Sequence, residues 1–201
     1  MLRIDLDILQ QWVSVGSRVL DLGCGDGALL HSLVENRRVE GYGLEIDSDQ
    51  ITACIERGVN VIEHDINEGL RNFKDKSFDT VIMTYSLQVL RRPDRVIDEM
   101  LRVGKECIVT FPNFGNIRTR GYLMLRGRMP VTRQLPYQWY DTPNIHFCTV
   151  RDFEALCREK NIRVMHRTSV TGRRPDRYFS RAWPNVFAEA AIYHLSNSQN
   201  D

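Results

Sequence analysis

Three glycines at alternate positions, Gly23, Gly25 and Gly27, most constrain how this chain can fold. They follow a short apolar run, Val19 to Leu22, and precede a second apolar run, Ala28 to Val34, at helical spacing. The pattern predicts a strand, a tight turn and a helix. Glycine in such a turn lets the backbone adopt positive φ and approach a bound ligand closely.

Acidic residues stand at the ends of the first three predicted strands. Asp21 ends the first strand, and this favours a cationic or amino-bearing ligand over the pyrophosphate of the G-x-G-x-x-G fingerprint. Glu45 ends the second strand 20 residues after Gly25, the offset at which an acid holds ribose hydroxyls. Asp65 follows the third strand, where its carboxylate can accept a hydrogen bond from an adenine amino group.

At these residues the chain resembles the class I S-adenosylmethionine-dependent methyltransferases, over about residues 15 to 112. The resemblance implies S-adenosylmethionine, or its product S-adenosylhomocysteine, as cofactor. It implies the methionine moiety near Asp21 and Gly23, the ribose on Glu45, and the adenine flanked by Ile46 and Asp65. The predicted cofactor-binding residues are Asp21, Gly23, Cys24, Gly25, Glu45, Ile46, Asp65, Ile66 and Thr84. We interpret Cys24 as the small side chain that the turn requires, without an activated thiolate.

Three motifs in the second half of the chain are similar to the methionine biosynthesis protein MetW family. They are Phe-Pro-Asn-Phe-Gly-Asn at 111–116, Gly-Arg-Met-Pro at 127–130, and Trp-Tyr-Asp-Thr-Pro-Asn-Ile-His-Phe at 139–147. This resemblance covers nearly the whole chain. It implies a role in methionine biosynthesis beside a homoserine O-acyltransferase of the α/β-hydrolase type.

Regular alternation of predicted strands and helices indicates a single doubly wound, Rossmann-like, mostly parallel seven-stranded sheet, the class I methyltransferase fold. Ligands of such sheets bind at the carboxyl ends of the strands. Residues 2–14 have the pattern of an amphipathic helix that caps the sheet. Residues 188–195 fit a strand or a helix, and the resemblance favours an antiparallel strand.

Length and composition favour one domain over residues 1–201, because 42% hydrophobic residues in 201 can fill a single core. The net charge of +1 argues against a general affinity for nucleic acid or an anionic membrane. The first seven residues lack a signal-peptide pattern, so we expect a cytoplasmic protein. Five cysteines without Cys-x-x-Cys spacing argue against a disulfide framework or a metal site.

The segment 113–148 interrupts the alternation after the fifth strand and predicts a lid or a binding surface. It is rich in aromatic residues and has one acid, Asp141, against five arginines. Three interpretations remain open for the arginines: a solvated face, a site for an anionic substrate, or a partner-binding surface. The arginines are Arg118, Arg120, Arg126, Arg128 and Arg133.

Catalytic residues are not identified by the sequence. Many small-molecule methyltransferases carry a histidine around Gln88 or Val89, after the fourth strand, and this chain has none there. His146 and Asp141, both in the insertion, are the remaining candidate bases. Two functions therefore stay open: an accessory protein that activates or regulates the acyltransferase, and an active methyltransferase on a small molecule, anionic ones included.

Overall fold

The computed structural model describes residues 8–132, 135–170 and 182–197 of the chain. Seven strands form one sheet, with helices on both faces. The strands are β1 (Arg18–Leu22), β2 (Glu40–Glu45), β3 (Asn60–Glu63), β4 (Phe78–Thr84), β5 (Gly104–Pro112), β6 (Ile162–Val170) and β7 (Ala190–Asn197). The helices are α1 (Ala28–Arg37), α2 (Ser48–Glu56), α3 (Pro93–Val103), α4 (Ile117–Arg126), α5 (Val150–Glu159) and α6 (Pro184–Phe187).

The sheet has the order β3-β2-β1-β4-β5-β7-β6. Strands β1 to β5 are parallel to their neighbours, whereas β7 runs antiparallel to both β5 and β6. This confirms the predicted mostly parallel, seven-stranded, doubly wound fold. It also resolves the alternative for residues 188–195 in favour of the antiparallel strand.

Side chains alternate between two apolar layers along the central strands. In β1, Val19 packs on the face covered by α1 and α2, and Leu20 packs on the face covered by α3 and α5. Ile108 and Val109 of β5 divide in the same way. Because both faces are buried, these strands are apolar at nearly every position, as expected for parallel sheets.

The predicted helix over residues 2–14 is too long at its carboxyl end. Residues 8–10 are helical, but the chain then turns, with the amides of Gln11 and Trp12 bonded three residues back to Ile8 and Leu9. Residues 2–7 lie outside the described residues. Leu9 and Val13 are nevertheless buried against the sheet, so the predicted apolar contact is correct.

The segment after β5 contains the helix α4. Asn116 caps the start of α4, and Gly127 ends it in the left-handed conformation. A capping box between Thr149 and Asp152 begins α5. Arg133 lies outside the described residues, and the single domain over residues 1–201 stays a prediction. Within the described ranges, no helix is both long and apolar enough to cross a membrane.

Candidate functional site

The glycine loop joins β1 to α1 at the carboxyl edge of the sheet. Gly23, Gly25 and Gly27 have φ values of 71°, 56° and 73°. A Cβ at Gly23 would lie 2.6 Å from Oγ of Ser86, which follows β4. The loop therefore needs glycine both for its backbone conformation and for its close approach to the β4 end.

Glu45 fixes this loop from the tip of β2. Its Oε2 accepts a hydrogen bond from the Gly25 amide at 2.8 Å. Its Oε1 accepts from the amides of Ile46 at 2.8 Å and Asp47 at 3.1 Å. A carboxylate offers about four lone-pair positions, so one remains available for a further donor.

Asp21 is the most perturbed acid of the site. Its side chain is 1% exposed, and Oδ1 has no hydrogen-bond partner among the described residues. Burial, and secondly the nearby charge of Glu45, raises the pKa of Asp21 from 3.8 to about 7. A buried carboxylate without a donor fits a cationic or amino-bearing ligand group.

The tip of β3 contributes a polar and an apolar side chain. Asp65 Oδ1 accepts from the backbone amide of Asn67 at 2.9 Å and from its side chain at 3.0 Å. The Cδ1 atom of Ile66 lies 3.7 Å from the Cβ position of Gly23. Ile46, by contrast, is 60% exposed beside Glu45.

Cys24 lies behind the loop rather than facing it as a reactive thiol. Its Sγ is 3.8 Å from Sγ of Cys54 on α2, and a Cβ at Gly43 would collide with it. Burial raises the pKa of the Cys24 thiol far above its ordinary value. The sequence prediction of a small packing side chain agrees with this geometry, but Cys54 and Gly43 were not predicted as its neighbours.

The turn after β4 closes the other side of the loop. Thr84 ends β4, and its carbonyl accepts from Ser86 Oγ at 3.2 Å. Tyr85 has φ of 55°, a costly conformation for an aromatic residue. Gln88 is buried, with Oε1 lacking a hydrogen-bond partner in the described part of the chain.

The two candidate bases differ in position. The amides of Ile145 and His146 both donate to the carbonyl oxygen of Gln88, at 2.8 and 3.0 Å. The chain therefore brings His146 to the turn after β4, although sequence reasoning found no histidine there. Asp141 is exposed, and no hydrogen bond of its side chain to a described residue ties it to this turn.

A cleft of about 830 Å³ runs along the outer side of the glycine loop. Arg57, which sequence reasoning missed, borders it and donates to the Asp26 carbonyl at 2.9 Å and to its Oδ2 at 2.6 Å. A single arginine at the end of a helix is not part of any motif, so the sequence does not indicate that Arg57 contacts Asp26. Other residues lining the cleft are Gly23, Gly25, His31, Ser32, Gln50, Thr84 and Tyr85.

The two asparagines of the Phe-Pro-Asn-Phe-Gly-Asn motif are structural. Asn113 Nδ2 donates to the Ala188 carbonyl at 2.9 Å, and Asn116 Nδ2 donates to the same carbonyl at 3.0 Å. Asn113 Oδ1 also accepts from the amides of Gly115 and Val150. These bonds join the starts of α4 and α5 to the chain before β7.

Comparison with known proteins gives a match over almost the whole chain. The family described as "Methionine biosynthesis protein MetW" matches residues 3–195. The bifunctional methionine biosynthesis protein MetXA/MetW of Rhodopirellula baltica is 32% identical over 207 residues, covering 98% of this chain and 33% of that protein. A phosphatidylethanolamine N-methyltransferase of Cereibacter sphaeroides is 30% identical over 94 residues, 44% of this chain and 45% of that enzyme. The chain thus spans one third of the first relative and under half of the second.

Solved structures show the same fold. An S-adenosylmethionine-dependent methyltransferase from Mesorhizobium loti superposes with a TM-score of 0.69 at 15% identity, covering 94% of this chain and 95% of that one. One from Archaeoglobus fulgidus gives 0.66 at 16% identity, covering 95% and 90%. At such identities the likeness concerns the fold alone.

Proposed function

The chain belongs to the methionine biosynthesis protein MetW family, and from this membership we propose that it binds S-adenosylmethionine or S-adenosylhomocysteine and acts with a homoserine O-acyltransferase. The observation that carries cofactor binding is the buried, unpartnered Oδ1 of Asp21 beside the glycine loop. An orphaned carboxylate oxygen of this kind is costly unless a ligand supplies a donor.

The residues fit the two ends of the cofactor. Asp21 and Gly23 would hold the methionine moiety, whose ammonium and sulfonium are cationic. Glu45 keeps one lone-pair position for a ribose hydroxyl. Ile46 and Asp65 would flank the adenine, with Cys24, Gly25, Ile66 and Thr84 completing the lining. The cofactor, when bound, supplies a methyl group activated by its sulfonium.

The partner is supported by the bifunctional relative. That protein carries MetXA and MetW in one polypeptide, and this chain corresponds to 33% of it. Fusion keeps two linked domains at a high effective concentration relative to each other. We propose that this chain contacts the acyltransferase, raises its activity, and couples that activity to the cofactor level. The predicted location remains the cytoplasm.

Calorimetry tests cofactor binding. Glu45→Ala should weaken S-adenosylmethionine binding by about 10- to 100-fold, since hydrogen bonds to a charged group contribute about 1.5–3 kcal/mol. Glu40→Ala, at the opposite end of β2, is the matched control and should leave the affinity unchanged. Equal affinity of the wild-type protein and Glu45→Ala would overturn the assignment of the site.

The accessory role is tested with the purified acyltransferase. Adding the chain should raise acyltransferase turnover, and adding the acyltransferase should change the cofactor affinity by the same factor by which the cofactor changes partner affinity. Unchanged turnover would contradict the accessory role. Unchanged cofactor affinity in the complex would contradict the coupling to cofactor level.

One observation favours methyl transfer as a second candidate function. The His146 amide donates a hydrogen bond to the Gln88 carbonyl, which places the backbone of this histidine at the turn after β4. A base in that region could take a proton from an acceptor. The test is S-adenosylhomocysteine formation from S-adenosylmethionine with a panel of small acceptors, anionic ones included. A product made by the wild type and lost in His146→Ala, with cofactor affinity retained, would support this function.

A further inference from the structure

Helix α4 contributes little to the core of the molecule. Of its ten residues, from Ile117 to Arg126, only Thr119 is buried. Most helices of globular proteins turn an apolar stripe toward the core and polar residues toward solvent. In α4 the apolar side chains face outward, so their presence has no explanation in the folding of the chain.

The three most exposed apolar side chains of α4 lie on one face, whereas Tyr122 and Leu123, 43% and 39% exposed, lie beside the buried Thr119. Ile117, Gly121, Met124 and Leu125 are spaced i, i+4, i+7 and i+8, which places them on one face of the helix. Ile117 is 49%, Met124 79% and Leu125 80% exposed. We call these four residues the α4 stripe. Anchors at this spacing are typical of a helix that enters an apolar groove of another protein.

Gly121 lies in the middle of the stripe and is not required by the fold. A Cβ added there would meet nothing within 4 Å, and its φ is not positive. Glycine inside a helix is less stable than alanine, because its backbone loses more conformational freedom on folding. Because Gly121 has no side chain, the helix backbone is uncovered at this position, and another protein surface can approach it closely.

Arginines flank the stripe on both sides. On a helical projection, Arg118 and Arg120 lie about 75–85° to either side of its centre at 100° per residue. Arg118 is 82% exposed and reaches Glu189 only at 3.5 Å. Arg120 has no ion pair with any residue of the described ranges. The stripe therefore has an apolar centre between two exposed arginines, of which Arg118 also pairs with Glu189.

We propose that the α4 stripe is the docking surface for the homoserine O-acyltransferase, and that it enters an apolar groove with an acidic rim on that enzyme. This inference rests on the proposed function and names the surface that serves it. The relative that joins MetXA to MetW argues for this occupant, and the arginines beside the stripe argue against a second copy of the chain. A two-fold contact of the stripe with itself would bring four arginines together, and like charges in an interface are unfavourable.

The experiment measures the dissociation constant of the complex with purified full-length acyltransferase, for the wild type and three variants. Leu125→Glu and Met124→Glu should each weaken the complex by at least about 30-fold, the effect expected of a central anchor. Ile55→Glu is the matched control, because Ile55 is a comparably exposed helical residue outside the stripe, 65% exposed on α2. Its affinity for the acyltransferase should equal that of the wild type.

Two further readouts separate docking from folding. All three substituted side chains are exposed, so circular dichroism and S-adenosylmethionine affinity should match the wild type. Gly121→Ala should raise the unfolding midpoint of the free chain, whereas Gly121→Leu should weaken the complex without unfolding the chain. Equal weakening by Ile55→Glu would overturn the assignment of the stripe.

The remaining outcomes are also distinct. Wild-type affinity of Leu125→Glu for the acyltransferase would overturn the docking surface and leave the proposed function standing. Absence of any complex with the wild type would overturn both. If the wild type self-associates and Leu125→Glu abolishes this, the stripe binds a second copy of the chain and the proposal is wrong. If the wild type binds anionic phospholipid vesicles and Leu125→Glu abolishes this, the stripe binds a membrane surface and the proposal is also wrong.

Discussion

The backbone amide of Gly25 donates a hydrogen bond of 2.8 Å to Oε2 of Glu45. An acid at the tip of β2 thereby holds the loop that follows β1, in addition to any role toward a ligand. The bond joins two segments 20 residues apart in the chain. It makes the shape of the glycine loop depend on the charge state and length of one side chain.

Glu45→Gln should loosen this loop. The amide group of glutamine has one acceptor oxygen, whereas three backbone amides donate to the Glu45 carboxylate. Loss of a bond to a charged acceptor, about 1.5–3 kcal/mol, should speed hydrogen exchange at Gly25 by about 10- to 100-fold. Glu40→Gln, on the same strand, is the control and should leave exchange in the loop unchanged. Equal protection of Gly25 in both variants would contradict the role of the bond.

Asp21→Asn should change how stability depends on pH. Because the pKa of Asp21 is raised from 3.8 to about 7 in the folded state, the folded protein keeps a proton that the unfolded chain releases. This contribution to stability is complete below about pH 4 and is lost as pH rises to about 7. Asparagine does not ionise, so Asp21→Asn does not lose this stability as pH rises. Its free energy of unfolding relative to that of the wild type should therefore increase from pH 5 to pH 8 in urea titrations.

Asp79 is the control, because its pKa shift has the opposite direction to that of Asp21. Its hydrogen bond with Lys105, and secondly that with the Arg18 amide, lowers the pKa of Asp79. The stability that it contributes is present above its unfolded-state pKa and is lost at acidic pH. Asp79→Asn should therefore be less stable than the wild type at pH 7. An Asp21→Asn profile parallel to that of the wild type would show that the Asp21 pKa is not raised.

Asn113→Ala should destabilise the protein by about 3 kcal/mol, because two buried amides lose their acceptor and the Ala188 carbonyl loses one of its two donors. Urea unfolding at neutral pH measures this loss. Asn144→Ala is the matched control, since no described residue bonds to the Asn144 side chain, and it should cost less than about 0.5 kcal/mol. Similar midpoints for the two variants would mean that the motif has no structural role.

Cys24 should not react with thiol reagents in the folded protein. Its thiol is buried and its pKa is raised, so little thiolate is available for attack. In the wild type, labelling of Cys24 at pH 8, followed by peptide mass spectrometry, should require urea. Val15→Cys, at a position 66% exposed, provides the reactive control. Rapid labelling of Cys24 without urea would contradict the packing role.

The sequence was sufficient for the parts of the molecule that depend on local patterns. The glycines after β1, the acids Glu45 and Asp65 at the strand ends, and the antiparallel strand β7 follow from spacing, alternation or resemblance. Contacts between distant segments could not be predicted in this way. The pairing of Arg57 with Asp26 and the return of His146 to Gln88 depend on loop paths, which no periodicity records.

The end of the first helical segment was missed for a related reason. The apolar spacing of Leu9, Trp12 and Val13 suits a helix, and it suits equally a tight turn that presses the same residues against the sheet. Tertiary packing selects between the two, and local propensity does not.

The carbonyl oxygen of Gln88 holds the insertion to the β4 turn through two amides, those of Ile145 and His146. Two such bonds contribute about 1–3 kcal/mol in total. This is also the range of free energies by which ligands at separate sites influence each other, about 5- to 150-fold in affinity. Contacts with another molecule can replace two bonds of this total strength, so the position of the insertion at the β4 turn can respond to binding at the surface.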